Sequence, residues 1–158
     1  MKFGIIKEGK NPPDKRVFLT PQDCKNLKET FPDVEILVES SENRNFKDKE
    51  YQDLGLDVKQ DISEAEVLLG VKEVPLSAMI TNKKYFFFSH TIKKQPYNRD
   101  LLRAILDKNI ELYDHEVITD QNEIRLVAFG RYAGIVGAYN TIRAYGIKSG
   151  NFTLPKAM

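Results

Sequence analysis

The chain has 158 residues, 41% hydrophobic and 10% aromatic, which suits one domain of ordinary size with a real apolar core. Charge is nearly balanced, 24 basic against 23 acidic residues, so no global field favours nucleic acid or a membrane surface, and any anion site must be local. The single cysteine, Cys24, cannot form an internal disulfide, no apolar run approaches the length of a membrane span, and the amino terminus lacks a signal-peptide pattern; a cytoplasmic location is expected, with neither nucleic acid nor membrane as partner.

In chain order, Phe3 to Ile6 reads as a short first strand, followed by the polar loop KEGKNPPDKR, which carries Arg16. Thr20-Pro21-Gln22-Asp23 marks a helix start: Thr20 as N-cap, Pro21 at the first helical position, Asp23 placed to reach back to the cap. Cys24, Leu27 and Phe31 share one face of that helix, which Pro32 stops, so Cys24 reads as a small buried hydrophobe rather than a nucleophile. Val34 to Val38 is a second strand and Lys49 to Leu54 a short helix ended by Gly55. Val67 to Val71 and Tyr85 to Phe88 are apolar without polar alternation, as expected of strands in a parallel sheet covered on both faces. Pro96 to Lys108 has helical spacing and Ile110 to Tyr113 is a further strand. Glu123 to Phe129 is expected as another strand, paired through the polar turn at Asp120 to Asn122; from Gly130 the period becomes helical, and beyond Gly146 order is expected to fade.

This alternation predicts an α/β fold, a three-layer domain with a largely parallel central sheet. Ligands bind such sheets at the carboxyl ends of the strands. Lys72 follows one apolar run immediately and His90 follows the other by two residues, so both emerge at that edge if the strands are parallel. The loops after Ile6, Val71, Phe88 and Tyr113 then bring Arg16, Lys72, His90 and Glu116 to one rim. Arginine suits bidentate binding of a carboxylate, histidine titrates near neutral pH, and a lysine of lowered pKa serves as acid or base. No metal site is expected.

The runs KRVFLTP (15 to 21), LLGVKEVP (68 to 75), FFFSHTIKKQPYNRDLL (86 to 102), LYDHE (112 to 116) and VAFGRYAGIVGA (127 to 138) resemble the Rossmann-like amino-terminal substrate domain of the alanine dehydrogenase, pyridine nucleotide transhydrogenase and saccharopine dehydrogenase superfamily. Within it, SHTIKKQ and AFGRYAG are most similar to the lysine-forming saccharopine dehydrogenases and to the lysine-2-oxoglutarate reductase domain of bifunctional lysine-degrading enzymes. The resemblance implies an NAD- or NADP-dependent reaction in which saccharopine and water give lysine and 2-oxoglutarate. It makes Lys72 and His90 the acid/base pair, Arg16 and Lys93 the contacts of substrate carboxylates, and Glu73 and Glu116 acidic neighbours of the catalytic lysine. Since nearby carboxylates raise a lysine's pKa, His90 is the better candidate for the group that titrates.

No two glycines stand two apart, so the GxGxxG fingerprint cannot occur, and no cofactor-binding residue is expected in this chain. Residues 1–146 are expected to be the substrate domain and 147–158 a linker toward an NAD(P)-binding domain absent from the chain, which by itself should bind no dinucleotide and show no activity. Two other readings stand beside this one: an alanine dehydrogenase-like enzyme acting on a small 2-oxo acid, and a non-enzymatic module that binds a carboxylate or a partner. The positive charge at Lys93 favours a dicarboxylate over the small 2-oxo acid.

Overall fold

Six strands, β1 (Lys2–Ile5), β2 (Glu35–Glu39), β3 (Asp57–Lys59), β4 (Val67–Leu69), β5 (Lys84–Phe87) and β6 (Glu111–Asp114), form one sheet in the order β3-β2-β1-β4-β5-β6. All five pairings are parallel. The structure, a computed structural model, describes residues 1–156 and divides into two units, Met1–Ile118 with the sheet and the chain from Thr119. Strand order reverses between β1 and β4, so the loops leaving these two strands diverge at the carboxyl edge.

Alternation along β2 explains the layering. Ile36 and Val38 face one way and join Ile5 against α1 (Pro21–Thr30) and α2 (Asp48–Gln52), with Cys24, Tyr51 and Leu56 completing that core. Leu37 faces the other way and joins Leu68, Tyr85 and Phe87 against Leu101 and Ile105 of α3 (Arg99–Asp107). The three-layer α/β expectation is met. The Thr20 hydroxyl accepts from the Asp23 N–H at 3.2 Å and the Asp23 carboxylate accepts from the Thr20 N–H at 3.1 Å, with Pro21 in the first turn. Cys24 is fully buried, and burial raises its thiol pKa to about 12.

Several boundaries move, each for a physical reason. The ladder of β4 stops at Leu69 rather than Val71, because the Val71 and Lys72 N–H groups are taken by the Glu8 carboxylate at 2.7 and 2.8 Å. The expected helix over 96–108 forms as a 3₁₀ turn, Pro96–Asn98, followed by α3. The expected strand over Glu123 to Phe129 is absent. There Asp120 captures the N–H groups of Asn122 and Ile124 at 2.8 and 2.9 Å, and Glu123 takes a left-handed φ of 61°, which a strand cannot include. Only an isolated antiparallel bridge, Thr119 to Arg125, survives.

In the second unit, α4 (Gly130–Ser149) continues unbroken past Gly146 and ends at Gly150, which has a left-handed φ of 72°. The described residues beyond it return along the helix. Arg143 donates to the Leu154 carbonyl at 3.1 Å and the Tyr139 hydroxyl to the Pro155 carbonyl at 2.8 Å. Gly146 permits this, since a Cβ there would fall 2.5 Å from the Phe152 ring. Ile135, Val136 and Ile142 of α4 are exposed. Residues 157 and 158 of the expected linker lie outside the described residues. Among the described residues no helix is long and apolar enough to cross a membrane.

One buried cation stabilises the edge of the sheet. Arg44, 5% exposed, donates to the carbonyls of Phe46 and Glu39 at 2.7 Å each and to the Asp48 carboxylate, and lies 4.5 Å above the Tyr51 ring. Arg44→Met keeps most of the stem but leaves two carbonyls without their donor and removes the cation–π contact. A loss of about 2 kcal/mol is expected, read as a lower urea midpoint at unchanged slope; an unchanged midpoint would show that this network contributes nothing net.

Candidate active site

The loop after β1 brings Glu8, Lys10, Asp14 and Arg16 to the carboxyl edge. Glu8 caps the end of β4 through its two backbone hydrogen bonds, and burial pushes its pKa up despite those donors. Arg16 grips Asp14 as a fork, Nε to Oδ1 at 2.9 Å and Nη2 to Oδ2. That hydrogen bond, with the Lys72 charge adding to it, holds the Asp14 carboxyl down to about 2. Lys72 thus leaves β4 beside an anchored Asp14–Arg16 pair. Its ammonium donates no hydrogen bond among the described residues, whereas its backbone N–H is held by Glu8.

β4 and β5 remain adjacent beyond the ladder, since the Phe88 N–H donates to the Val71 carbonyl at 3.1 Å. The chain then turns sharply. His90 adopts a left-handed conformation, φ 57°, which costs a residue with a Cβ about 1 kcal/mol. Neighbouring groups impose it: the Asn98 amide donates to the His90 carbonyl at 3.0 Å, and the buried Ser89 hydroxyl donates to the Asp114 carboxylate. Asp114, at the end of β6, also accepts from the Glu116 N–H at 2.9 Å. One buried carboxylate therefore ties the loop of His90 to the loop of Glu116.

Around the imidazole, Nδ1 stands 2.9 Å from Glu116 Oε2 and 3.2 Å from Lys93 Nζ. One nitrogen cannot both donate to the carboxylate and accept from the ammonium. Lys93 already has a shorter partner, Glu116 Oε1 at 2.9 Å, so the stable assignment is Nδ1–H donating to Glu116. The lone pair is then on Nε2, which lies 3.9 Å from Glu73 Oε1, too far for a hydrogen bond. Glu73 is instead paired through Oε2 with Lys10 at 2.9 Å. Burial pushes both carboxyls up, but the hydrogen bonds from Lys93 and His90 to Glu116, and from Lys10 to Glu73, prevail and hold both below the ordinary value.

His115 sits directly behind this rim, 2% exposed, stacked on Phe18 at 5.2 Å and edge-on to Phe88 at 5.1 Å. Nε2 donates to the Gly70 carbonyl at 3.1 Å, while the buried Nδ1 has no hydrogen-bond partner among the described residues. Burial lowers the pKa, outweighing the Gly70 carbonyl and the Asp114 charge. The fold therefore favours the neutral ring. Its contribution to stability is complete above the unfolded value of about 6.5 and is lost as pH falls through the lower folded value. His115→Phe should keep the stack, cost some stability at pH 7 through the lost Gly70 bond, and flatten the decline of the thermal midpoint just below pH 6.5. A decline of unchanged steepness there would assign it to other groups.

Of the residues singled out from sequence, His90, Glu116 and Lys93 are in mutual contact, Glu73 lies beside them, and Lys72 stands with Arg16 and Asp14 on the neighbouring loops. Neither Glu73 nor Glu116 is hydrogen-bonded to Lys72; the acidic residue whose titration feels the Lys72 charge is Asp14. Glu8, Lys10, Asp14, Ser89, Asp114 and His115 were not singled out. Asp114 and His115 lie within the LYDHE run, and only their burial reveals them.

The family described as "Alanine dehydrogenase/PNT, N-terminal domain" matches residues 4–136. The mitochondrial alpha-aminoadipic semialdehyde synthase of Bos taurus is 39% identical over 146 residues, covering 92% of this chain and 16% of the bovine protein. The saccharopine dehydrogenase [NAD(+), L-lysine-forming] of Yarrowia lipolytica is 33% identical over 132 residues, covering 80% of this chain and 35% of that enzyme. The chain thus spans a minor part of the length of these relatives. Among solved structures, an L-alanine dehydrogenase superposes with a TM-score of 0.63 at 22% identity, over 78% of this chain and 34% of that one. A transhydrogenase from Sinorhizobium meliloti gives 0.61 at 19%, over 75% and 36%. At these identities the two structures establish the fold. With the family match covering most of its length, the chain belongs to the alanine dehydrogenase/PNT amino-terminal domain family.

Proposed function

We propose that this chain is the substrate-binding half of an NAD(P)-dependent amino-acid oxidoreductase that interconverts saccharopine with lysine and 2-oxoglutarate. The observation that carries the reading is an imidazole whose Nδ1–H is fixed by a carboxylate, leaving Nε2 basic, on the same sheet edge as a lysine and an anchored arginine. The names of the curated relatives, a saccharopine dehydrogenase and the aminoadipic semialdehyde synthases, support it.

In this reading His90 Nε2 takes the proton from the secondary amine, and Glu116 stabilises the imidazolium through Nδ1–H. Lys72 takes the proton of the water that adds to the imine carbon, passes it to the carbinolamine nitrogen, and takes the hydroxyl proton as the C–N bond breaks to give lysine and 2-oxoglutarate. Arg16, fixed by Asp14, and Lys93 hold the carboxylates of the 2-oxoglutarate half.

The residues present do not fit a dinucleotide. Residues 6–20 separate β1 from α1, so no helix opens directly at the end of β1 to receive a pyrophosphate, and the N–H groups at the end of β4 are taken by the chain's own Glu8. The nucleotide is assigned to a separate domain of the same protein. The test is NAD(P)H consumption by the full-length protein with lysine and 2-oxoglutarate, expected only when both are present. Consumption with pyruvate and ammonia, and not with this pair, would replace the proposal with an alanine dehydrogenase-like activity.

A further inference from the structure

We infer that the recess between the β4 loop and the start of α3 receives the α-amino-acid end of lysine, an inference that rests on the functional reading above. This recess, of about 400 Å³, is lined by Lys10, Glu73, Leu76, Tyr97, Asp100 and Leu101 among others. It adjoins the candidate acid/base centre through one side chain. Glu73 lines the recess, reaches Lys10 with Oε2 at 2.9 Å, and stands 3.9 Å from His90 Nε2 with Oε1. A substrate nitrogen at His90 therefore has the mouth of this recess beside it.

The lining matches the remainder of a lysine molecule part by part. Val74, Pro75, Leu76 and Leu101 supply an apolar wall for a chain of methylenes. The charged groups are of both signs, a lysine and two carboxylates, which is what an α-ammonium beside an α-carboxylate requires and what a simple dicarboxylate does not. Glu73 is paired with Lys10 through Oε2 and turns Oε1 toward His90, whereas the Asp100 carboxylate accepts no hydrogen bond and joins no ion pair among the described residues, so Asp100 is the acceptor assigned to the α-ammonium. Lys10 faces the α-carboxylate. Val74 and Leu101 are buried and fix the wall, and Tyr97 is exposed at the rim. Asp100 also stands in the first turn of α3, where a carboxylate complements the helix N-terminus. That structural role predicts a small change in thermal midpoint and no change in substrate preference.

The experiment is steady-state kinetics of the full-length enzyme with each substrate varied in turn. Asp100→Asn should raise the KM for lysine about tenfold, the usual worth of one charge-assisted hydrogen bond, and leave the KM for 2-oxoglutarate within about twofold. Asp100→Glu should recover most of the loss. Lys10→Met, an independent variant at the other end of the recess, should raise the same constant. An unchanged lysine KM in Asp100→Asn, or equal rises for both substrates, overturns the subsite while leaving the reaction intact. A wild-type enzyme that does not turn over lysine with 2-oxoglutarate overturns the functional reading, and the subsite falls with it.

Discussion

His90→Gln in the full-length protein is expected to lower kcat by about a hundred- to ten-thousand-fold, with the KM of each substrate moving only a few-fold. The size follows from what glutamine can and cannot replace. Its amide still donates to Glu116 and fills much of the imidazole volume, so the loop keeps its hydrogen bond. It has no basic lone pair where Nε2 stood, so proton transfer in the transition state is lost while ground-state binding survives. The limb of the pH–rate profile that reports protonation of the base should vanish in the same variant. Lys72→Met should also act on turnover, because no hydrogen bond to the Lys72 ammonium among the described residues supports the fold. Arg16→Ala differs, since it removes a carboxylate anchor used in ground and transition states alike and should raise the KM for 2-oxoglutarate. A His90→Gln enzyme with near-native kcat and an unchanged profile would remove histidine from the acid/base role and return it to a hydrogen-bonded strand end.

The sheet edge was legible in the sequence because continuous apolar runs are the mark of parallel strands buried on both faces, and Lys72 follows one such run immediately and His90 the other by two residues. Arg16 and Glu116 were legible only by order, as residues in loops after strands. What remained hidden depends on contacts distant in sequence. Glu8 ends β4 from a loop more than sixty residues away, and no local pattern announces that a carboxylate will replace the ladder at Val71 and Lys72. β3 is three residues long with only one apolar position, too short for any period to declare itself. The error over Glu123 to Phe129 has the opposite origin. There Glu123 to Leu126 alternates polar and apolar, but Asp120 and a left-handed Glu123 commit the backbone donors to a local turn.

Asp114→Ala is expected to lower stability by about 2 to 3 kcal/mol and turnover by about a hundredfold, although the residue meets the proposed chemistry only through the backbone N–H of Glu116. The carboxylate is 7% exposed and accepts from the Ser89 hydroxyl, from the Glu116 N–H at 2.9 Å and, over a longer 3.4 Å, from the Ser89 N–H. Alanine leaves the buried Ser89 hydroxyl with Thr91 Oγ1, 2.7 Å away, as its one remaining side-chain partner and leaves the Glu116 N–H unfilled. The stability cost is that of the hydrogen bonds lost from Ser89 and of a part-buried Glu116 N–H left without its acceptor. The kinetic cost arises because Ser89 precedes His90 and Glu116 follows Asp114 by two, so both ends of the Nδ1–H to carboxylate bond lose the anchor that sets their separation. A displacement of about 1 Å is enough for a hundredfold loss. Asp114→Asn distinguishes the two costs, because its amide oxygen still accepts from the Glu116 N–H while its NH₂ donates to a Ser89 hydroxyl that rotates to accept. That variant should retain most of the stability and more of the turnover than alanine. If Asp114→Ala unfolds at the wild-type urea midpoint and turns over within twofold of wild type, the link between the two loops does not set the geometry of His90 and Glu116.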